Sequence, residues 1–501
     1  MRVFCVALKK ITMNKQTAID IFALTDCHQE ARKLCSLFSG IISHSNKFGS
    51  EALICDCGDL FKGIYDRELC VESYLKLRQQ LPEAKIVIAL GNNDFGFNSE
   101  HLNFLQQAAQ RFNQANIHVL CANLRDLNTG TCPKWADPYI LLDINGKKIM
   151  VTAFCVNYIR LQRYNLTLAD ITETFENMAE TIKHIEPDAL IVLNHALRTS
   201  SAEIWQTAKK CGVRVDLIIG GHEHSAVEPN PNERTYYPQA FSRTLLHFKM
   251  GFAQCSTDLH LLETISSKTE PLNPIFEPAL DEYEQRAGLN IPVAKSTLNL
   301  TRNYSDACPL GSFVADQMRT AAKADLAVLS TGYLTHALRY EKGKILTMYN
   351  LERVFSAETP VQTAVLSPKT LKAVLNNAVR FRYLQIYGNT RFLQCSSNLG
   401  IVCAKNAENY GEIKQIMINN EPILDSDGNP LHPSDEYLCA LDPFVGSGEL
   451  GFDMLRSVFK ETLMKNNQLV RIKDLIVRAI KNAENTYPEG STYPATKVTD
   501  I

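Results

Sequence analysis

Apolar residues in this chain gather into short runs, and five of those runs end on side chains that bind metals well. Residues 17–25, TAIDIFALT, alternate and then run apolar up to Asp26-Cys27-His28. Residues 51–59, EALICDCGD, close on Gly58-Asp59, and residues 85–94, KIVIALGNND, close on Gly91-Asn92-Asn93-Asp94. Residues 188–196, DALIVLNHA, carry Asn194-His195 near their end. Residues 215–224, VDLIIGGHEH, reach His222 and His224 through two glycines. Runs this short and this apolar predict strands covered on both faces. Helical patterns over 29–46, near 100–114 and near 202–211 separate them, with further short strands at 117–124, 139–144 and 148–156. Such alternation predicts a layered α/β architecture, in which sites form outside the carboxyl ends of the strands.

The pattern changes at 265–300, where SSKTEPLNPIFEPALDEYEQRAG brings prolines and charges and reads as a linker between domains. Periodicity resumes with a helix over 308–324, a strand over 325–331, a helix over 366–381 and strands over 412–419 and 437–444. That mixture predicts an α+β domain. The closing stretch 485–501, NTYPEGSTYPATKVTDI, reads as a loose tail.

The run ends supply Asp26, His28, Asp59, Asn92, His195, His222 and His224. Singly, each has a structural reading. Asp26 or Asp59 can cap a helix, Asn92 can take a left-handed turn, and His195 can be a hydrogen-bonded core histidine. Their recurrence at strand ends within one α/β half points to metal instead. Two divalent cations about 3.5–4 Å apart need roughly this number of ligands, with a carboxylate between them. His222 and His224, at alternate positions, can serve one ion each. Mixed imidazole and carboxylate donors suit Mn, Zn or Fe in preference to Mg or Ca.

At 501 residues the chain exceeds one ordinary core, so two domains are expected. An apolar fraction of 45% with 21% charged residues is that of a soluble globular protein. A net charge of −2 supplies no electrostatic attraction to nucleic acid or an anionic membrane. The 15 cysteines are odd in number and lack C-x-x-C pairs, which favours reduced thiols over a disulfide framework or a zinc ribbon. The opening MRVFCVALKKITMNK has too short an apolar core for a signal peptide, and no window is apolar enough to span a bilayer. A cytoplasmic location is expected.

Taken in order, D-x-H, G-D, G-N-x-D, N-H and G-G-H-x-H across residues 26–224 resemble the calcineurin-like metallophosphoesterase superfamily. Residues 440–452, ALDPFVGSGELGF, are similar to the TNDFLASGGDGY segment of its two-domain 5′-nucleotidase family, and the preceding EIKQIMINNEPILDSDGNPLHPSDEYLCALD follows the same pattern. The resemblance implies a four-layer αββα metallophosphoesterase domain over 14–265, a linker over 266–299 and an α+β 5′-nucleotidase-type C-terminal domain over 300–490. It implies that Asp26, His28, Asp59 and His224 hold one metal, and that Asp59, Asn92, His195 and His222 hold the other. The implied activity is hydrolysis of a small phosphate ester of nucleotide type, monoester or cyclic diester, by in-line attack of a hydroxide bridging the ions.

The chain departs from the family at several positions. Asn93 stands where the family has a histidine beside the leaving group, and an amide cannot deliver a proton. Losing such an acid typically lowers rate about 10²–10⁴-fold. Gly96 replaces the acid that orients that histidine. Arg198, three residues after His195, is a candidate for charge on the phosphate or a solvated surface arginine. Phe444 matches one of two aromatic rings that hold a nucleobase, and Phe355, beside Ala357, is the candidate for the other; both also read as core residues. The family's substrate-binding arginine falls on Thr335 and its glycine-loop aspartate on Leu450. A rival reading is therefore a catalytically weak metal- and phosphate-ligand-binding or sensor protein on the same scaffold. A sulfur-ester hydrolase is a further rival without a positive feature in the sequence.

Overall fold

The structure, a computed structural model, describes residues 18–28, 30–48, 51–61, 67–96, 99–157, 161–224, 230–253, 256–355, 359–383, 392–448 and 451–500. Chain contacts divide it into two units, Met1–Tyr283 and Glu284–Ile501. Among the described residues no helix is long and apolar enough to cross a membrane.

The first unit opens with β1 (Ala18–Leu24), α1 (Ala31–Phe48), β2 (Ala52–Asp56), α2 (Arg67–Gln80), β3 (Lys85–Ala89), α3 (Ser99–Gln114) and β4 (Ile117–Leu120). These strands run parallel from β1 to β4. A small antiparallel pair follows, β5 (Leu124–Asp126) with β8 (Leu166–Leu168). Between and after them come β6 (Tyr139–Ile144), β7 (Lys147–Cys155), α4 (Ile171–Ile185), β9 (Ala189–His195), α5 (Arg198–Cys211), β10 (Leu217–Gly220) and β11 (Thr235–Tyr236). The unit closes with the antiparallel β12 (Thr244–Phe252) and β13 (Thr257–Ser266), then α6 (Glu277–Arg286), whose last residues pass into the second unit.

Two sheets result, ordered β13-β12-β1-β2-β3-β4 and β11-β10-β9-β7-β6. Strand alternation divides their side chains among three cores. Ile19, Ile21 and Ala23 of β1 meet Ile191 and Leu193 of β9 between the sheets. Phe22 and Leu24 of β1 face the opposite way, towards Leu34, Phe38 and Ile41 of α1. Leu190 and Val192 of β9 pack on Phe175 of α4 and Ile204 of α5. Helix, sheet, sheet, helix is the four-layer order expected. Because both faces of the central strands are covered, their sequences read as unbroken apolar runs. α2, α4 and the β12–β13 pair lie outside the series read from the sequence, and the helix expected near 202–211 begins earlier, at Arg198.

The second unit holds a five-stranded sheet in the order Leu393–Cys395, Leu326–Ser330, Tyr437–Leu441, Gln362–Leu366, Glu461–Thr462. In its second strand Ala327 and Leu329 face a core shared with helices Pro309–Ala322 and Ile472–Thr486. Leu326 and Val328 face a second core under helix Pro368–Val379. The stretch read as a linker carries α6, with Phe276 and Leu280 buried in the core beneath α1. The expectation of a loose tail is corrected. Lys497–Asp500 pairs in parallel with Leu399–Lys405, Thr496 is buried with its N–H on Ser312 Oγ at 2.8 Å, and Asp500 bonds Arg382 at 3.2 Å. The tail's polar residues are spent on closing a sheet edge, which needs backbone donors and acceptors and little apolar surface.

Ile191 has no accessible surface and lies between the two sheets of the first unit. Ile191→Ala is expected to lower unfolding free energy by about 2–5 kcal/mol, the range for emptying such a site, read from the midpoint of a denaturant titration.

Candidate metal centre

Five strands of the first unit deliver the candidate ligands at one end. Asp26 and His28 follow β1, Asp59 follows β2, Asn92 follows β3, His195 is the last residue of β9, and His222 and His224 follow β10. Five of these residues have left-handed backbone: Asp26 (φ 50), His28 (φ 49), Asp59 (φ 58), His222 (φ 77) and His224 (φ 53). A non-glycine residue held there costs on the order of 1–3 kcal/mol, and such strain gathers at functional sites. It also has a geometric use. Extended backbone would keep His222 and His224 on one side, whereas the structure turns His222 to Asn92 and His224 to Asp26. Two glycines permit the close approach. A Cβ on Gly91 would lie 2.2 Å from Asp59 Oδ1, and one on Gly221 would lie 2.4 Å from Thr25 Oγ1 and 2.9 Å from His195 Nδ1.

Donor atoms of Asp26, His28, Asp59 and His224 all lie within 4.8 Å of one another. Asp26 Oδ1 is 3.0 Å from His224 Nε2 and 3.4 Å from His28 Nε2, and those two nitrogens are 2.7 Å apart. On the other side, His222 Nδ1 is 2.8 Å from Asn92 Oδ1, and its ring lies 5.4 Å from that of His195. Asp59 stands between the groups. Its Oδ2 is 3.2 Å from His195 Nε2 and 3.8 Å from His28 Nε2. Asp59 and His195 have no accessible surface at all.

The donor chemistry fits divalent cations. His195 Nδ1 lies 2.7 Å from the Cys57 carbonyl, which can only accept, so the ring proton belongs there. Nε2 then turns a lone pair to the Asp59 carboxylate and makes no hydrogen bond. Two acceptors facing each other in a place without solvent need a cation between them, and a histidine whose far nitrogen donates to a carbonyl is the usual arrangement of a metal ligand. Protonation is the other resolution. Burial disfavours charge on His195, but the Asp59 and Asp26 carboxylates outweigh it and push the imidazole up to about 10. Burial and the neighbouring His195 charge push His222 down to about 3, so it stays a neutral donor. Burial opposes ionisation of Asp59, yet the His195 and His28 imidazoles hold it below the ordinary carboxylate range. Proton and metal compete for the same lone pairs.

Asn93 lies against the same carboxylate, donating its N–H to Asp59 Oδ1 at 2.7 Å and its amide Nδ2 to Oδ2 at 2.5 Å. A Cβ on Gly96 would fall 2.3 Å from His101 Cβ, so the space a longer side chain would need there is filled. Arg198 opens α5 as an exposed residue, its N–H donating to Glu223 Oε1 at 2.6 Å. In the second unit, the N–H of Phe444 donates to Asp442 Oδ1 at 2.9 Å. Phe355 is buried, face to face with Tyr333 at 5.6 Å, and Tyr333 meets Phe444 edge-on at 6.4 Å. Thr335 donates its hydroxyl to the Arg353 carbonyl. Ala357 and Leu450 lie outside the described residues.

Three contributors were not assigned from sequence. Asp94, buried, accepts the N–H groups of Gly91, Asp59 and Phe61 at 2.8, 2.9 and 2.8 Å, tying the ends of β2 and β3 together. A carboxylate closing an apolar strand was its visible signal. Thr25 Oγ1 donates to Asp26 Oδ2 at 2.7 Å. The Phe241 ring lies 5.1 Å from both His28 and His224, and nothing in its local sequence marks it.

Two family models match the chain: calcineurin-like phosphoesterase over residues 19–226 and the C-terminal domain of 5′-nucleotidase over residues 289–457. Endonuclease YhcR of Bacillus subtilis (strain 168) is 24% identical over 287 residues, 52% of this chain, and the match spans only 23% of that protein's length. The apyrase of Aedes albopictus is 22% identical over 412 residues, 74% of this chain and 70% of that protein. Among solved structures, a 5′-nucleotidase precursor from Thermus thermophilus shares the fold with a TM-score of 0.72 at 16% identity, over 96% of this chain and 99% of that one.

Asp94→Ala leaves three buried N–H groups without an acceptor and frees the backbone that presents Asp59. Metal affinity is expected to fall about 10–100-fold, as for other groups that orient ligands, measured by competition with a chromogenic chelator.

Proposed function

Since the chain belongs to the two-domain 5′-nucleotidase family of calcineurin-like phosphoesterases, we propose that it hydrolyses small phosphate esters of nucleotide type, using two divalent cations. The observation that carries the reading is the position of the Asp59 carboxylate, within 3.8 Å of imidazole nitrogens from both groups of candidate ligands. Asp26, His28, Asp59 and His224 would hold one ion, and Asp59, Asn92, His195 and His222 the other, with Mn, Zn or Fe suiting the donors better than Mg. Such a pair supplies Lewis acidity and an acidified water as nucleophile.

The chain's own residues do the rest. Asp94 and Asn93 orient Asp59. The Cys57 carbonyl sets the tautomer of His195. Phe241 screens His28 and His224 from water on one side. Arg198 contributes positive charge towards the phosphate. In the second unit Phe444 and Phe355, grouped with Tyr333, are the candidates that the family resemblance offers for contact with a nucleobase. No protonated group from Asn93 meets the leaving oxygen, so the rate depends on how basic that oxygen is. A second reading, a binding or sensor protein with slow turnover, is favoured by Asn93 and by the filled space at Gly96.

Two substitutions test the proposal. Asp59→Asn should lose at least one ion by elemental analysis and nearly all hydrolysis in a screen of phosphate mono- and diesters; two full equivalents retained would sink the assignment. Asn93→His places an imidazole at the leaving-group position. Turnover of alkyl phosphates should rise about tenfold or more while nitrophenyl esters, which leave without a proton, change little. An unchanged or lower alkyl-ester rate would favour the binding reading.

A further inference from the structure

A second convergence of metal-binding side chains lies at the β12–β13 pair and α1. His247 of β12 is opposite Glu263 of β13 in the antiparallel register, where the ladder shifts between His247 and Phe248. His44 reaches them from α1. Its Nε2 is 2.5 Å from Glu263 Oε1, and His247 Nδ1 is 3.2 Å from the same oxygen. The His247 side chain is 3% exposed, and Phe22 of β1 stacks on its ring at 4.4 Å, which fixes the ring plane. These donor atoms lie within 4.8 Å of one another.

The far nitrogen of each imidazole is already engaged. His44 Nδ1 lies 3.1 Å from the Gly40 carbonyl one helical turn back, and His247 Nε2 lies 2.9 Å from Asp20 Oδ1. Carbonyl and carboxylate oxygens accept, so each ring donates there and turns its other nitrogen towards Glu263. Two imidazole nitrogens and a carboxylate thus converge, and a proton or a cation between them holds the contacts together. An outer carbonyl or carboxylate behind each imidazole is how metal-ligating histidines are held. Lys249 Nζ, 3.8 Å from Asp20 Oδ2, offsets the charge of that outer carboxylate.

We propose that His44 Nε2, His247 Nδ1 and Glu263 form a third metal site, for a single divalent transition ion of zinc type. Two imidazoles and one carboxylate select such an ion over Mg or Ca. Tetrahedral bonds of 2.0–2.1 Å place donors about 3.3 Å apart, so the His247 pair already has the spacing and the His44 pair needs to open by under an ångström. Both partners of that pair can move, with side chains 18% and 44% exposed. That exposure also leaves a coordination position to water. The site is separate from the candidate catalytic ligands. His247 pairs with Phe22, four residues before Asp26 and about 13 Å from it along the strand. An ion here would pin α1, which begins three residues after His28, to the β12–β13 pair.

The test uses the metal-stripped full chain, titrated with zinc and followed by equilibrium dialysis and elemental analysis. Glu263→Gln and His44→Gln should each bind one zinc fewer per chain than the wild type, while hydrolysis of a nitrophenyl phosphate at saturating metal stays within about twofold. Equal zinc content in all three proteins overturns the proposal. A second measurement needs no substitution. Zinc should protect His44 of the wild type from carbethoxylation mapped by mass spectrometry, and equal modification with and without zinc overturns the proposal as well.

Discussion

The carboxylate of Asp59 sits where water does not reach, between imidazole nitrogens of His28 and His195. Everything near it serves to hold it there. Asp94 takes its backbone N–H, Asn93 donates twice to its oxygens, and Gly91 lets β3 approach closely enough for both. Alone, a buried carboxylate is expensive. Set among four imidazoles, a second aspartate and an amide oxygen, it becomes the centre of a site whose charges balance only with cations or protons present.

That requirement explains the strain around it. Extended backbone would send each alternate pair at the strand ends, Asp26 with His28 and His222 with His224, out on one side of its strand. Left-handed backbone at Asp26, His28, Asp59, His222 and His224 turns those side chains inward instead. The layers on either side, α1 to α3 over one sheet and α4 with α5 over the other, supply the packing that holds such conformations in place. Stability from the cores and strain at the strand ends are thus two parts of one design.

The departures from the family pattern lie beside the candidate ligands rather than among them. Asn93 bonds Asp59, and His101 fills the volume next to Gly96. In the second unit Tyr333 stacks on the buried Phe355 and meets Phe444 edge-on.

Much of this was legible from sequence for a physical reason. Burial on both faces writes an unbroken apolar run, so β1, β2, β3, β9 and β10 were visible, and with them the α/β layers and the ligand types at their ends. The departures at Asn93 and Gly96 were visible as well, because residue identity alone limits what a side chain can donate. Pairing between distant segments left no such mark. That Asp94 binds three N–H groups, that Phe241 covers two histidines, and that His44, His247 and Glu263 meet all depend on strand register and on how α1 packs. The last strand, Lys497–Asp500, was read as loose because its few apolar residues predict no core, yet a sheet edge binds it through backbone hydrogen bonds that any sequence can make. Local periodicity determined the elements and their chemistry; only the tertiary structure decided which side chains face one another.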